Sequence, residues 1–325
     1  MRVFLTGGTG FLGGEVARLL RERGDAVRVL VRSPERARSL QAMGCELVPG
    51  DLSDEAALVD ACRGMTAVVH CVAVHDLGAS PEARAEMVEA NVRGTERVLG
   101  AALTAGVSQA LHVSTVAVFG DTRGEVADEG WTCTTGGWTS VYQETRSCAY
   151  RRAQQISSCG LPLVTVQPGA VYGPGDPSVM GRVLRQFLEG RLPVLPFADV
   201  GVSPVHRDDV ADGILRALDK GVPGESYVLA GEALRFREVL EGLADASGRR
   251  PPKPLPTWVL RALAPAAPVV APRLGLPANL QELIRTCDGA TSWASGDKAR
   301  EQLGWDSRPL HEGLRELAQS VASAA

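Results

Sequence analysis

The sequence predicts an α/β fold, a doubly wound parallel sheet with a smaller C-terminal substrate domain, and three observations carry that reading. The chain opens on a short apolar run, Val3-Phe4-Leu5, that meets glycines at Gly7, Gly10 and Gly13 before Glu15 to Arg23 takes up apolar residues at helical spacing. Short apolar runs recur at Ala26 to Val31, Glu46 to Val48, Ala67 to Ala73, Leu111 to Val118, Leu163 to Val166 and Ser226 to Ala230, with helical patterns between them. Such alternation implies right-handed crossovers and a mostly parallel sheet, whose ligands sit at the carboxyl ends of the strands.

The first fourteen residues, MRVFLTGGTGFLGG, read as strand, tight turn and helix. Gly7 permits the turn, Gly10 lets backbone N–H groups approach a pyrophosphate, and Gly13 lets the helix pack on the strand, so the stretch is a dinucleotide site of Rossmann type. The second strand ends at Arg32, nineteen residues beyond Gly13, with no acidic residue at that end. An acid there would favour a free ribose 2′-hydroxyl and an arginine a 2′-phosphate, so Arg32 favours NADP, with NAD the second option, Arg36 a second cation and a solvated surface arginine the plainer alternative. Asp51, after the third strand, either caps the helix that starts near Asp54 or contacts the adenine.

His70 interrupts the continuous apolar run of the fourth strand, and His75 follows it. Both invite an acid–base role, but a satisfied core histidine is the plainer reading. Pro81 to Ala105 reads as one long helix holding Asn91, and Leu111 to Val118 as the fifth strand.

Composition narrows the partners. A net charge of -4 without a Lys/Arg block argues against nucleic acid and anionic membranes, and leaves a small-molecule substrate as the expectation. No run reaches the roughly eighteen apolar residues of a membrane span, and Val3 to Leu5 is too short for a signal peptide. Seven cysteines, Cys45, Cys62, Cys71, Cys133, Cys148, Cys159 and Cys287, are odd in number and lack a CxxC pair. That pattern fits reduced thiols in the cytoplasm, and no metal site is expected.

Several motifs coincide with one family: TGGTGFLG at Thr6 to Gly13, GDL at Gly50 to Leu52, NVRGT at Asn91 to Thr95, STVAVFG at Ser114 to Gly120 and QPGAVYGPGD at Gln167 to Asp176. PVHRDDVADGI at Pro204 to Ile214 and KAREQLGW at Lys298 to Trp305 extend the likeness over nearly the whole chain. Together they closely resemble the extended short-chain dehydrogenase/reductases, which include sugar-nucleotide epimerases, dihydroflavonol-4-reductase-like and 3β-hydroxysteroid dehydrogenase-like enzymes. The resemblance implies an NAD(P)-binding domain over residues 1–171, to which elements near 203–230 return, and a substrate domain over residues 172–325. It places Gly7, Thr9, Gly10, Phe11, Leu12, Gly13, Arg32, Asp51, Leu52, Ala73, Asn91 and Ser114 around the cofactor, with Pro168, Gly169 and Val171 where the family's backbone meets the nicotinamide.

The family works with a Ser or Thr, a Tyr, and a Lys four residues after the Tyr. Its tyrosine gives or takes the proton while hydride moves, and a nearby cation with the cofactor ribose lowers the tyrosine pKa from about 10. Thr115 falls on the hydroxyl position, four residues before Phe119. Tyr142 and Arg146 fall on the dyad when the count runs back from Gly160-Leu161-Pro162, and helical spacing puts both on one face. The guanidinium keeps the charge but is bulkier and stays protonated, so it is not equivalent to lysine. A second register puts Arg146 on the tyrosine position and Tyr150 on the lysine position; the first is preferred because it keeps Thr145 where the family often has Ser or Thr. A tyrosine with its hydroxyl at a wet helix edge is the plainer alternative.

Trp131 and Trp138, in the polar loop between Gly124 and Trp138, and Tyr172 are expected to line the substrate pocket, with loop anchoring as the alternative for the tryptophans. Asp208 or Asp209 reads as a helix N-cap and His206 as structural. Pro251 to Pro277 is a linker, a lid over an apolar substrate or a homodimer surface. The expected activity is NADP-dependent reduction of a ketone or aldehyde in a small, fairly apolar metabolite, or the reverse oxidation. A nucleotide-sugar epimerase or dehydratase with bound NAD, and a cofactor-binding sensor or scaffold, are the alternatives.

Overall fold

The computed structural model describes residues 1–75, 80–133, 138–263 and 280–324. Seven parallel strands form its main sheet: β1 (Arg2–Thr6), β2 (Ala26–Val31), β3 (Glu46–Pro49), β4 (Ala67–His70), β5 (Gln109–Val113), β6 (Leu163–Pro168) and β7 (Ser226–Leu229). Their order is β7-β6-β5-β4-β1-β2-β3, so the winding reverses between β1 and β4. A crevice opens at that reversal, beyond the strands' carboxyl ends.

The sheet is covered on both faces, which is why its strands read as near-continuous apolar runs. On one face Val3, Leu5 and Val29 pack with Val16 and Leu20 of α1 (Phe11–Glu22) and with Ile214 of a later helix. On the other, Phe4 and Val68 pack with Leu58 of α2 (Glu55–Cys62), Leu99 of α3 (Gly94–Thr104) and Ala153 of α4 (Val141–Ser158). Neighbours Val3 and Phe4 thus serve opposite cores, as the two-residue period of a strand requires. Edge strand β7 is shielded, because its Val228 N–H donates to Glu129 Oε1 at 2.7 Å.

A separate core brings together α5 (Val179–Leu188), α7 (Phe236–Ser247) and α8 (Leu310–Ala324) through Leu184, Phe187, Leu240, Leu243 and Leu314. It joins the sheet beside Ala170–Tyr172, which pairs in parallel with Pro204–His206 ahead of α6 (Arg207–Lys220).

Four elements differ from the sequence reading. The fourth strand ends at His70, and Cys71 to His75 runs on without strand pairing. The fifth ends at Val113, because Thr115 Oγ1 accepts the Ala117 N–H at 3.2 Å and turns the chain into a 3-10 segment, Val116–Phe119. The single long helix is broken into Pro81–Met87, a wide π turn at Val88–Arg93, and α3. At α6 the cap is His206, whose Nδ1 accepts the Asp208 N–H at 3.3 Å, and neither aspartate serves; Asp209 holds Arg308 through both oxygens at 2.8 to 3.0 Å. Residues 264–279 of the proline-rich stretch lie outside the described residues, and Thr257–Leu263 is helical. Among the described residues no helix is long and apolar enough to cross a membrane.

Candidate active site

The glycine turn is built as its spacing requires. Gly7 has φ +80°, and a Cβ there would lie 2.9 Å from the Cys71 carbonyl, so this glycine admits both the turn and the crossing of the chain after β4. A Cβ on Gly13 would sit 2.2 Å from the Gly7 carbonyl oxygen, which fixes how closely α1 rides on the turn. α1 begins after Gly10 with no side-chain cap, so its first N–H groups stay free for an anion. Thr9 and Gly10 are exposed at this mouth, and Phe11 and Leu12 are half-buried. The Arg207 guanidinium lies 5.3 Å from the Phe11 ring centre.

Arg32 is exposed at the end of β2, and its charge helps hold the Asp51 carboxyl below the ordinary aspartate value, after the hydrogen bonds from Ser53. Asp54, and not Asp51, caps α2, through the Ala57 N–H at 3.0 Å. Asp51 instead accepts the Ser53 N–H at 2.9 Å. Leu52 packs under the α2/α3 core, Ala73 is exposed in the chain after β4, and Ser114 follows β5 with its buried Oγ free of protein partners among the described residues. Pro168 ends β6, Gly169 donates to the Leu229 carbonyl at 3.0 Å, and Val171 packs on the α1-side core. These groups fit a dinucleotide laid across the crevice, with its pyrophosphate at α1.

Tyr142 and Arg146 occupy the first turns of α4, which Ser140 caps through the Gln143 N–H at 3.3 Å. Tyr142 is half-buried and meets the His75 ring edge-on at 4.3 Å between centres. Arg146 is 1% exposed and donates Nη2 to the Val113 carbonyl at the end of β5, while its Nε and Nη1 have no protein partner among the described residues. Burial pushes this guanidinium below its ordinary pKa, and its proximity to Tyr142 and Cys71 pulls it back toward the charged form. Among the described residues no carboxylate pairs with it, and burial pushes the Cys71 thiol up to about 12, so the charge is left to Tyr142. Tyr150, the partner in the alternative register, points elsewhere: its hydroxyl bonds Ser226 Oγ at 3.0 Å beside β7.

Asn91 is spent on protein. Its Oδ1 accepts the Val74 N–H at 2.8 Å, and its Nδ2 donates to the Val74 carbonyl at 2.9 Å and to Thr145 Oγ1 at 3.2 Å. It therefore braces the chain after β4 against α4 and offers no free donor to a cofactor.

The sequence reading missed the polar row beneath this site. Thr6, His70, His112, Thr165 and Ser226 face one another in register across five strands. His70 bonds Thr6 Oγ1 at 2.7 Å and Thr95 Oγ1 at 3.1 Å, and burial pushes its pKa down to about 3, with Arg146 adding to the shift. The available signal was a polar residue within each apolar run, His70, His112 and Thr165 among them, but at no common place along the strand. Cys71, which crosses over Gly7, gave none, since that approach depends on topology alone.

Two aromatic expectations need correction. Trp131 anchors its loop, donating Nε1–H to the Phe119 carbonyl at 3.2 Å while its ring packs on the Val116, Phe119 and Val228 cluster. Tyr172 is buried in the third core, edge-on to His206 at 5.4 Å. It borders a cavity of about 470 Å³ with Pro204, Ser295 and Arg308 that neither Thr115, Tyr142 nor Arg146 lines. Trp138 is half-buried just before α4.

His206, Asp208 and Glu316 come within metal-holding reach of one another. Arg207 holds Asp208 and Arg308 holds Glu316, both at 2.8 Å, and His206 Nδ1 already accepts an N–H. Two guanidinium charges and a ring nitrogen already in use make this a poor cation site.

Residues 3–230 match the model of the NAD dependent epimerase/dehydratase family. The chain belongs to that family. Among its relatives are a ketoreductase of 4-hydroxy-2-methyl-3-oxo-4-farnesyl-3,4-dihydroquinoline-1-oxide from Stigmatella aurantiaca, 31% identical over 98% of this chain and 96% of that one, and sterol demethylase protein B from Methylococcus capsulatus, 30% identical over 81% and 80%. A 2-alkyl-3-oxoalkanoate reductase from Stenotrophomonas maltophilia is 28% identical over 99% of this chain and all of its own. The crystal structure of gox2253 superposes with a TM-score of 0.83 at 31% identity, covering 100% of this chain and 98% of that one. This member of the epimerase/dehydratase family is accordingly an NAD(P)-dependent enzyme of short-chain dehydrogenase/reductase type, with the family's parallel sheet and flanking helices.

Proposed function

We propose that this enzyme is an NADP-dependent oxidoreductase that reduces the ketone or aldehyde of a small, fairly apolar metabolite, or oxidises the corresponding alcohol. The observation that carries the proposal is the buried Arg146, a guanidinium with no carboxylate partner among the described residues, whose field falls on Tyr142 one helical turn away. The relatives named for ketone reduction support the carbonyl class, and the exposed Arg32 at the end of β2 supports the 2′-phosphate. Scattered free cysteines suit a reducing cytoplasm.

A bound nicotinamide dinucleotide would supply or accept the hydride. Gly7 to Gly13 and the α1 N-terminus would hold its pyrophosphate, Arg32 and Asp51 its ribose end, and Pro168 to Val171 the nicotinamide end. Tyr142 donates the proton to the carbonyl oxygen as that oxygen gains charge, and Thr115 hydrogen-bonds the same oxygen. Arg146 stabilises the tyrosinate left behind through a fixed charge, which, unlike a lysine, takes no part in moving the proton. In Tyr142→Phe, NADPH-linked turnover of a ketone is expected to fall by about a hundredfold or more with NADPH binding retained. Undiminished turnover would refute the assignment, and binding without any turnover in the wild type would favour the sensor reading.

A further inference from the structure

A second hydrogen-bonding group, His75, packs against Tyr142. The Asn91 amide holds both the N–H and the carbonyl of Val74, at 2.8 and 2.9 Å, so the residue that follows is fixed in place rather than left to a free loop. The His75 ring then lies edge-on against Tyr142, 4.3 Å between centres and 81° between planes. It remains open to solvent, and neither ring nitrogen has a protein partner among the described residues. Val74, Met87, Ala83 and Val141 form the apolar cluster on which the Tyr142 ring packs. The protein packed against part of the ring, then the charges of Arg182 and Arg146, lower the imidazole pKa to about 4. At neutral pH the ring is therefore uncharged, with one N–H donor and one acceptor.

Resting on the reductase reading above, we propose that His75 is a substrate-binding residue whose N–H holds a second oxygen of the substrate while Tyr142 protonates the first. Rings in contact put their hydrogen-bonding atoms within the span of one small molecule, so the two oxygens belong a few bonds apart. The substrate class this selects is a ketone with a neighbouring carbonyl or carboxyl function, as in 3-oxo acids and their esters. A monoketone would leave the imidazole N–H to water, so the second oxygen adds binding that the monoketone lacks.

The test compares ethyl 2-methyl-3-oxobutanoate with 3-methylheptan-2-one, a monoketone of the same length and branching, as NADPH-linked substrates. In His75→Phe, which keeps the edge contact with Tyr142 but has no N–H, kcat/KM for the oxo ester is expected to fall about tenfold or more, mainly through KM. The value for the monoketone should stay within about twofold, and His75→Asn should recover most of the loss. Equal losses on both probes would mean that His75 only packs against Tyr142, and no loss on either would mean that it touches no substrate; each overturns the proposal. A wild-type enzyme that binds NADPH yet reduces neither probe, with Tyr142→Phe indistinguishable from it, sinks the reductase reading itself.

Discussion

At the scale of single residues, the departure at Arg146 is the most informative feature of the chain. A buried cation without a carboxylate partner is destabilising unless something else uses its charge, and replacing it by an apolar side chain of similar length is often neutral or stabilising. Arg146→Met is therefore expected to keep or raise the Tm of the cofactor-free protein while lowering kcat about a hundredfold or more. Arg146→Lys should retain turnover, since it restores the family's usual cation. A Met variant that is both less stable and fully active would show that the guanidinium serves packing alone. Arg32 makes a separate prediction. Exposed at the end of β2, it should attract a ribose phosphate, so Arg32→Glu is expected to weaken NADPH binding about tenfold or more and to spare NADH. Titration of both coenzymes by fluorescence checks this, and equal losses would remove Arg32 from the 2′-phosphate site.

At the scale of elements, the π turn at Val88–Arg93 deserves its place because it carries Asn91, whose amide ties Val74 to Thr145 on α4. Cutting that brace should release the chain after β4 and loosen Tyr142 without touching the cofactor cradle. Asn91→Ala is expected to lower stability by about 1 to 3 kcal/mol, as buried partners lose their bonds, and to reduce kcat more than it weakens coenzyme binding. Unchanged kcat with lower Tm would confine the brace to stability. This region also shows what the sequence could convey. The glycine turn and the strands lie in local patterns of spacing and hydrophobic period, and were legible there, whereas the Tyr142/Arg146 pair was reached only through the family resemblance. The 3-10 turn after Val113 and the π turn were not, because each is set by one side chain's hydrogen bonds: Thr115 to the Ala117 N–H in one case, Asn91 to a distant strand end in the other. Trp131 illustrates the same limit, since only the fold reveals that its indole is engaged by the Phe119 carbonyl.

At the scale of the whole molecule, the polar row through the sheet makes stability depend on pH. His70 and His112 stand side by side in register, rings 5.8 Å apart, fully buried beside Arg146. Burial pushes His70 down to about 3 and His112 well below its ordinary value, with the Arg146 charge acting in the same direction on both. Each is thus neutral in the fold and free to take a proton near pH 6.5 once unfolded. Above that pH neither state binds the proton and the pair adds no pH dependence. As pH falls from about 6.5 toward 3, the unfolded chain gains protons that the fold refuses, and stability declines by up to about 1.4 kcal/mol per pH unit for each ring. The carboxylates Asp25 and Asp51, held below the ordinary value of 3.8, contribute only at the acid end of that range, so the histidine effect can be read separately between pH 6 and 5. Urea unfolding at pH 7.5, 6 and 5 is expected to show the decline in the wild type and a slope smaller by about one proton in His112→Phe. Parallel slopes in the two proteins would show that His112 is not held neutral by the fold, and would undo the account of Arg146 as the charge that the row beneath it must tolerate.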